Sequence, residues 1–184
     1  MTRSNLTLPV IGRDHTAGPR NAPAMLLEYG DYECPHCGAA YPVVEALRER
    51  LGDTLLFAHR HFPLTQVHPH AELAAESAEA AGAQGKFWDI HDALLKHQNA
   101  LDTPHLILYA AAIGLDTGAF RRDLETHAYV ERVREDFMNG VRAGVNGTPT
   151  FFINGLRYEG ARNFETMYTV ITEVAEASRR EAVR

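Results

Sequence analysis

The apolar positions in the first third of the chain alternate between compact runs and a helical spacing. Residues 24–29 are a compact apolar run of the kind that forms a buried strand, and residues 54–62 form a second one. Between them, apolar residues recur at steps of three and four, which is typical of one face of a helix. These residues are Cys37, Ala40, Tyr41, Val44, Leu47 and Leu51. A strand, a helix and a second strand in this order predict a βαβ unit with two parallel strands.

The middle of the chain carries only helical patterns. Five helices are predicted there, over residues 70–81, 87–95, 103–113, 116–125 and 130–141. The third of them has the most specific start signal, because Thr103 is a capping residue type and Pro104 suits the first helical position.

Strand-like runs return near the end of the chain. Residues 150–153 and 156–159 flank Asn154 and Gly155, and Asn-Gly between two such runs predicts a tight hairpin. Asn163 is expected to cap a last amphipathic helix, and the charged residues 178–184 are expected to fray.

These patterns predict an α/β chain whose sheet domain is interrupted by helices. Residues 1–22 form an extended lead-in, with one short strand expected near residues 8–11. Residues 23–66 and 145–184 form the sheet domain, and residues 67–144 form an inserted all-helical subdomain.

Composition and charge narrow the function classes. The 184 residues include 18 Lys and Arg against 24 Asp and Glu, a formal net charge of −6. A mildly acidic chain without a basic run is a poor candidate for binding nucleic acid or an anionic membrane. No apolar run approaches the roughly 20 residues of a spanning helix, and the first residues lack a signal-peptide core. We therefore expect a cytoplasmic protein.

Cys34 and Cys37 are the two cysteines, and their C-x-x-C spacing favours a redox dithiol. Cys34 lies where a loop becomes a helix, and the unpaired N–H groups and dipole of a helix start favour a thiolate. Pro35 suits the first turn, and His36 adds an imidazole that can stabilise the thiolate. The layout predicts an exposed, low-pKa attacking Cys34 and a less exposed resolving Cys37. Such a dithiol carries two electrons itself, so no cofactor is expected.

The alternative interpretation of the two cysteines is half a zinc site. Structural zinc needs four ligands, and a second C-x-x-C is absent from the sequence. Histidines would have to complete the site, and four lie close together in the sequence: His59, His61, His68 and His70. We favour the redox interpretation and expect no metal.

Two further positions carry candidate chemistry. Glu28 lies inside an apolar run, which indicates either a partly buried acid that relays a proton to or from Cys37, or a solvated side chain at a sheet edge. Thr148 and Pro149 precede a strand, which indicates either an ordinary proline at a strand start or a cis-proline loop beside the dithiol.

Together these residues resemble the DsbA-like thiol–disulfide oxidoreductases of the thioredoxin superfamily, in its soluble bacterial branch. The resemblance runs from about Asp14 to Ala175 and is most specific at residues 30–37, at Pro42 and at residues 144–155. Residues 60–64 and 80–88 also look like this branch, some members of which are joined to sodium–proton antiporters.

The resemblance implies a thioredoxin fold with a helical domain inserted between its βαβ and ββα halves. It implies that Cys34 is the nucleophile, that Cys37 resolves the mixed disulfide and that His36 tunes the thiolate. Thr148 matches the residue whose backbone pairs with substrate peptide, Pro149 matches the family's cis-proline and Glu28 its buried acid. Expected partners are protein or small-molecule thiols and disulfides and a thioredoxin- or glutathione-type redox partner.

Three questions of activity stay open at this point. Cys-Pro-His-Cys resembles the strongly oxidising members, whereas a reducing cytosol favours reductase or isomerase work. A thioredoxin-fold module that binds partners through its helices without turnover is the main alternative. Glutathione conjugation, as in kappa-class-like relatives, is less favoured because it uses a single nucleophile.

Overall fold

The computed structural model describes residues 9–10 and 12–182. These residues form five strands: β1 (His15–Ala17), β2 (Ala24–Gly30), β3 (Leu55–His61), β4 (Thr150–Ile153) and β5 (Leu156–Tyr158). They form seven α-helices: α1 (Pro35–Leu51), α2 (Ala71–Ala83), α3 (Phe87–Lys96), α4 (Thr103–Ala112), α5 (Thr117–Glu125), α6 (Val130–Arg142) and α7 (Phe164–Ala182). A short 3₁₀ helix, Gly52–Thr54, follows α1.

The strands form one sheet in the order β1-β3-β2-β4-β5. β2 and β3 are neighbours, and nearly all of their residues are buried. Strands buried on both faces tend to show apolar runs, as residues 24–27 of β2 and residues 55–58 of β3 do, although β3 ends in the buried polar residues His59, Arg60 and His61. The sheet order confirms that the two strands of the predicted βαβ unit are neighbours. Their parallel orientation stays a prediction. β4 pairs antiparallel with β2, with Leu26 opposite Ile153 and Tyr29 opposite Thr150.

The predicted hairpin between β4 and β5 is confirmed. Asn154 and Gly155 have φ values of 45° and 83°. Positive φ at both central residues is typical of a two-residue turn that matches the twist of its strands. The Asn154 side chain also accepts a hydrogen bond from the backbone N–H of Met25 (2.6 Å), which ties the turn to the start of β2.

β1 lies in the predicted lead-in, after the position at which the sequence predicts a short strand. It pairs antiparallel with β3, with His15 opposite His59 and Ala17 opposite Phe57. Three residues are too few to show a period, so pairing with the sheet defines this strand. Of the strand predicted near residues 8–11, residues 8 and 11 lie outside the described residues, and residues 9–10 belong to no strand.

The chain divides into two compact units. The first consists of Met1–Tyr29, Ala39–Arg60 and Asn139–Arg184, and the second of Gly30–Gly38 and His61–Met138. In the second unit α2 packs against α3, α4 and α5. The buried side of α2 is mostly alanine, and small side chains allow neighbouring helices to approach closely.

Side chains cap three of the described helices, α4, α5 and α7, at their first turns. The carboxylate of Asp102 accepts a hydrogen bond from the backbone N–H of His105 (3.1 Å), so Asp102 caps α4. The predicted cap at Thr103 is therefore wrong by one residue, because the preceding carboxylate reaches the unpaired N–H groups of the first turn. Asn163 caps α7 as predicted and accepts from the backbone N–H of Thr166 (2.9 Å).

α7 continues further than the sequence pattern indicates. It runs to Ala182, so the fraying predicted over residues 178–184 is wrong for the described part of that segment. Arg180 pairs with Glu176 one turn earlier (3.8 Å), and such pairs support a helix end after its apolar stripe has stopped. Within the described residues, no helix combines the length and the apolar character needed to cross a bilayer.

A buried ion pair lies in the unit that carries the sheet. Arg60 is 1% exposed, and its guanidinium donates to both carboxylate oxygens of Asp14 (2.8 and 2.9 Å) and to the Tyr29 hydroxyl (3.0 Å). Burial alone would lower the pKa of Arg60, but the hydrogen bonds to Asp14 and Tyr29 outweigh it and raise the pKa. Arg60 is therefore charged, and the carboxylate of Asp14 neutralises its positive charge.

Replacing Asp14 with alanine is expected to destabilise the protein strongly. Asp14→Ala leaves the buried Arg60 cation uncompensated, and breaking a buried pair in this way costs about 3–5 kcal/mol. Urea unfolding measures this free energy. Glu131→Ala, which removes an exposed partner of Arg134 (3.6 Å), is the matched control and should cost less than about 1 kcal/mol. Equal losses for the two variants would contradict a buried, charged Arg60.

Candidate active site

The two cysteines lie where the loop after β2 becomes α1. The backbone carbonyl of Cys34 accepts from the N–H groups of Cys37 (3.0 Å) and Gly38 (3.2 Å), so Cys34 directly precedes the first helical turn. The first N–H groups of a helix have no partner within the helix and carry the positive end of its dipole. The sequence prediction that Cys34 occupies a helix start is confirmed.

Both sulfur-bearing side chains are buried. Cys34 is 3% exposed and Cys37 is 1% exposed, and neither is part of a disulfide. The predicted exposure of Cys34 is therefore wrong. Residues three apart share one side of a helical turn, so Cys34 lies on the inner side with Cys37, while Pro35 and His36 are exposed.

The carboxylate of Asp31 organises this loop. Asp31 is 3% exposed and accepts hydrogen bonds from the backbone N–H groups of Glu33 (2.8 Å) and Leu64 (2.8 Å). Its Oδ2 also lies 2.8 Å from Nδ1 of His68. The backbone N–H of Asp31 itself donates to Sγ of Cys37 (3.4 Å). One residue thus connects Cys37 with the segment that follows β3.

His68 is the site's partly buried imidazole, with 18% of its side chain exposed. Burial alone would lower the pKa of His68, but the hydrogen bond to Asp31 and the negative charges of Asp31, Cys34 and Glu33 raise it. The cationic form of His68 is therefore favoured beside residues 31–38, the segment with both cysteines that we call the dithiol loop. Sequence reasoning placed His68 only among candidate zinc ligands and missed this pairing.

Gln98 is a second residue that sequence reasoning missed. Its side-chain amide donates to the backbone carbonyls of Tyr32 (2.9 Å) and Cys34 (2.8 Å). The space for this amide exists because residue 38 is glycine, since a Cβ there would lie 2.1 Å from Oε1 of Gln98. No local pattern marks Gln98, which follows α3 in an irregular segment.

Each of the four histidines that could complete a zinc site lies beside a carboxylate. The pairs are His59 with Glu28 (3.9 Å), His61 with Glu79 (2.9 Å), His68 with Asp31 (2.8 Å) and His70 with Glu33 (2.9 Å). These carboxylate partners account for the histidine-rich segment without a metal that the histidines would share with the cysteines. The expected absence of a metal stays a prediction.

One of these pairs belongs to a buried charge cluster in the helical unit. One ligand-type atom from each of His61, Glu79 and Asp136 lies within 4.8 Å of the others. The guanidinium of Arg132 pairs with Glu79 (3.7 Å) and donates to Asp136. Arg132 therefore supplies the positive charge that a bound cation would supply, and the cluster fits an ion-pair network.

Glu28 lies in β2 opposite Phe151 and is 4% exposed. Its burial excludes the solvated edge position that the sequence left open. His59, across from it on β3, is 2% exposed, so acid and imidazole form a buried pair in the sheet unit. The role of Glu28 in proton transfer stays a prediction.

Thr148 and Pro149 lie immediately before β4. Thr148 is 9% exposed, Pro149 is buried, and the peptide bond between them is cis. The hydroxyl of Thr150 donates to the carbonyl of Gly147 (2.7 Å), which closes the turn that contains them. Their part in substrate binding stays a prediction.

Comparisons with known proteins agree with this arrangement. The family model described as Thioredoxin matches residues 11–173. The Na(+)/H(+) antiporter NhaA 1 of Salinispora arenicola is 46% identical over 169 residues, which are 91% of this chain and 26% of that protein. The chain thus spans about a quarter of the length of the curated relatives it matches.

Two solved structures show the same fold. Wolbachia pipientis alpha-DsbA1 superposes with a TM-score of 0.84 at 21% identity, covering 95% of this chain and 97% of that one. Oxidised BdbD from Bacillus subtilis gives a TM-score of 0.82 at 20% identity, covering 94% of this chain and 99% of that one. At these identities the likeness concerns the fold alone, and it includes the helical insertion.

Replacing Gln98 with alanine is expected to loosen the dithiol loop. Gln98→Ala removes two hydrogen bonds to backbone carbonyls at once, and at a net contribution of about 0.5–1.5 kcal/mol for each bond the expected loss is about 1–3 kcal/mol. Urea unfolding measures the loss, and hydrogen exchange should show faster opening of residues 32–38. Gln66→Ala, at an exposed position, is the control and should leave both unchanged. Unchanged exchange in Gln98→Ala would contradict the anchoring role of Gln98.

Proposed function

The chain belongs to the thioredoxin family and has the DsbA-like fold, and we propose that it is a thiol–disulfide oxidoreductase acting through Cys34 and Cys37. One observation carries the proposal. Cys34 directly precedes the first turn of α1 and Cys37 lies within that turn, with an N–H donor directed at the Cys37 sulfur. That placement suits a pair that closes and opens a disulfide.

The reaction is a balanced exchange of a dithiol for a disulfide. The Cys34 thiolate attacks one sulfur of a substrate disulfide, a mixed disulfide forms, and the first substrate sulfur leaves and takes up a proton. Cys37 then loses its proton and attacks the Cys34 sulfur, which releases the second substrate sulfur as a thiol. The substrate gains two electrons and two protons, and Cys34 and Cys37 become a disulfide. The reverse sequence oxidises a dithiol substrate.

The residues between and around the cysteines receive supporting roles. Pro35 occupies the first position of the helix, where a backbone N–H would have no partner within the helix. The exposed His36 adds an imidazole next to the nucleophile. Thr148 would pair its backbone with an extended substrate peptide, and Pro149 would shape that edge. These last two roles rest on the family resemblance of residues 144–155.

We also propose that Glu28 acts as the acid that exchanges a proton with Cys37. Its support is burial, since a carboxylate at 4% exposure is costly to keep charged, and the His59 imidazole at 3.9 Å balances that charge only when it is protonated. In the reductive direction, Glu28 accepts the proton that Cys37 must lose before it attacks.

The substrates proposed are protein or small-molecule thiols and disulfides, with a thioredoxin- or glutathione-type redox partner. A cytoplasmic location stays a prediction from the sequence. Equilibration against glutathione buffers gives the direction of the reaction, because a potential of about −120 mV is typical of an oxidant and about −270 mV of a reductase.

Serine substitutions of the two cysteines test the proposed reaction. Cys34→Ser removes the nucleophile and should abolish insulin disulfide reduction to background. Cys37→Ser removes only the resolving thiol, so it should accumulate Cys34–substrate mixed disulfides that reductant releases. Non-reducing electrophoresis and mass spectrometry measure both.

The double variant Cys34→Ser/Cys37→Ser is the control for non-covalent capture of substrate. A binding module without turnover would hold the same substrates in the double variant and form no mixed disulfide in Cys37→Ser. Full activity in Cys34→Ser would refute the proposed function.

Replacing Glu28 with glutamine tests its role in proton transfer. Glu28→Gln keeps the size of the side chain but cannot accept a proton, so resolution of a preformed mixed disulfide should slow by about tenfold or more at neutral pH. At high pH the loss should fade, because Cys37 then ionises without help. Stopped-flow kinetics across pH measure this, and Glu159→Gln, at 76% exposure, is the control. A loss that is equal at all pH values would indicate a structural role.

A further inference from the structure

The pair of Asp31 and His68 lies at the dithiol loop, and the exchange reaction as described does not use it. We propose that His68, held in place by Asp31, supplies a positive charge that stabilises the Cys34 thiolate. This inference rests on the proposed function and adds a positioning residue to it.

Geometry connects His68 to both cysteines through one residue. The carboxylate of Asp31 binds the imidazole at 2.8 Å, and the carbonyl of Asp31 accepts from the backbone N–H of Cys34 (3.1 Å). The N–H of Asp31 donates to Sγ of Cys37 (3.4 Å). Because Asp31 is 3% exposed, this linkage is shielded from solvent, and charges within it interact more strongly than at the surface.

The charge of Cys34 acts on His68, and the interaction is mutual. The negative Cys34 is among the groups that raise the pKa of His68. An electrostatic interaction energy belongs to both partners, so a protonated His68 favours the Cys34 thiolate by the same amount. His68 is therefore a second source of positive charge that favours the Cys34 thiolate, besides the positive end of the α1 dipole.

The acids next to Cys34 disfavour its thiolate, and the positive charge of His68 offsets that effect. Asp31 and Glu33 lie three residues and one residue before Cys34, and their negative charges oppose a thiolate. His68 neutralises Asp31 when it is protonated. His70 pairs with Glu33 (2.9 Å) but is 47% exposed, so solvent screens that pair more strongly. The titratable groups that act on His68 are Asp31, Cys34 and Glu33.

The sign of the pH dependence follows from the raised pKa of His68. Below that pKa the imidazole is positive and stabilises the thiolate. As pH rises through it, the cation is lost and Asp31 remains as an uncompensated negative charge. The stabilisation is therefore largest at acidic to neutral pH and disappears in alkali.

His68→Gln, His70→Gln and His68→Lys separate this charge from a structural role. Equilibration with glutathione should show the disulfide form favoured about tenfold more in His68→Gln than in wild type, which corresponds to a potential about 30 mV lower. His70→Gln, the matched control with the same spacing and an equivalent acid partner, should stay near wild type. His68→Lys should keep the wild-type equilibrium and extend it to higher pH.

A second measurement needs no substitution of His68. NMR titration of the wild-type protein should give a higher His68 pKa in the reduced than in the oxidised form, because only the reduced form carries the thiolate. Equal values in the two forms, or the same shift in His70→Gln as in His68→Gln, would overturn the inference. Insulin reduction by wild type tests the proposed function separately, since that function can hold while His68 has no effect.

Discussion

The buried carboxylate of Asp31 is the constraint on which the dithiol loop depends. The carboxylate has three hydrogen-bond partners, two backbone N–H groups and the His68 imidazole. The backbone N–H of Asp31 donates to the Cys37 sulfur. A carboxylate at this burial is stable only when its oxygens are satisfied in this way. The same bonds fix the course of the loop from β2 into α1. Position and charge at the cysteines are therefore both set through Asp31, by its backbone and its side chain.

The predictable parts of the fold and site were those encoded by neighbouring residues. Helix periods, the turn at Asn154 and the C-x-x-C spacing are local signals, and each identified its element. The pair of Asp31 and His68 joins residues 37 apart, and Gln98 reaches Cys34 over 64 residues. Such contacts depend on tertiary packing, which one sequence does not display. The exposure of Cys34 was mispredicted for the same reason, since the thiol faces inward with Cys37.

The histidine-rich segment shows how burial changes the meaning of a motif. In the sequence, four histidines near two cysteines suggest metal ligands, whereas in the structure each imidazole lies beside a carboxylate. Buried charges are stable only in pairs, so acids and imidazoles placed far apart in the sequence come together on folding. Arg60 with Asp14 and Arg132 with Asp136 follow the same rule in the two units. The chain thus places its buried acids beside basic side chains.

The close approach of Gly38 and Gln98 has a consequence for how these two positions vary. A Cβ at position 38 would meet the Gln98 amide at 2.1 Å, so any larger residue there requires a shorter residue at 98 or a displaced side chain. Where the Gln98 amide is shortened or moved out of reach, the carbonyls of Tyr32 and Cys34 lose its hydrogen bonds, although the Cys34 carbonyl keeps those from Cys37 and Gly38. The two positions are therefore epistatic. Relatives that carry alanine at the first are expected to differ at the second and to bring a replacement donor from elsewhere in the helical unit.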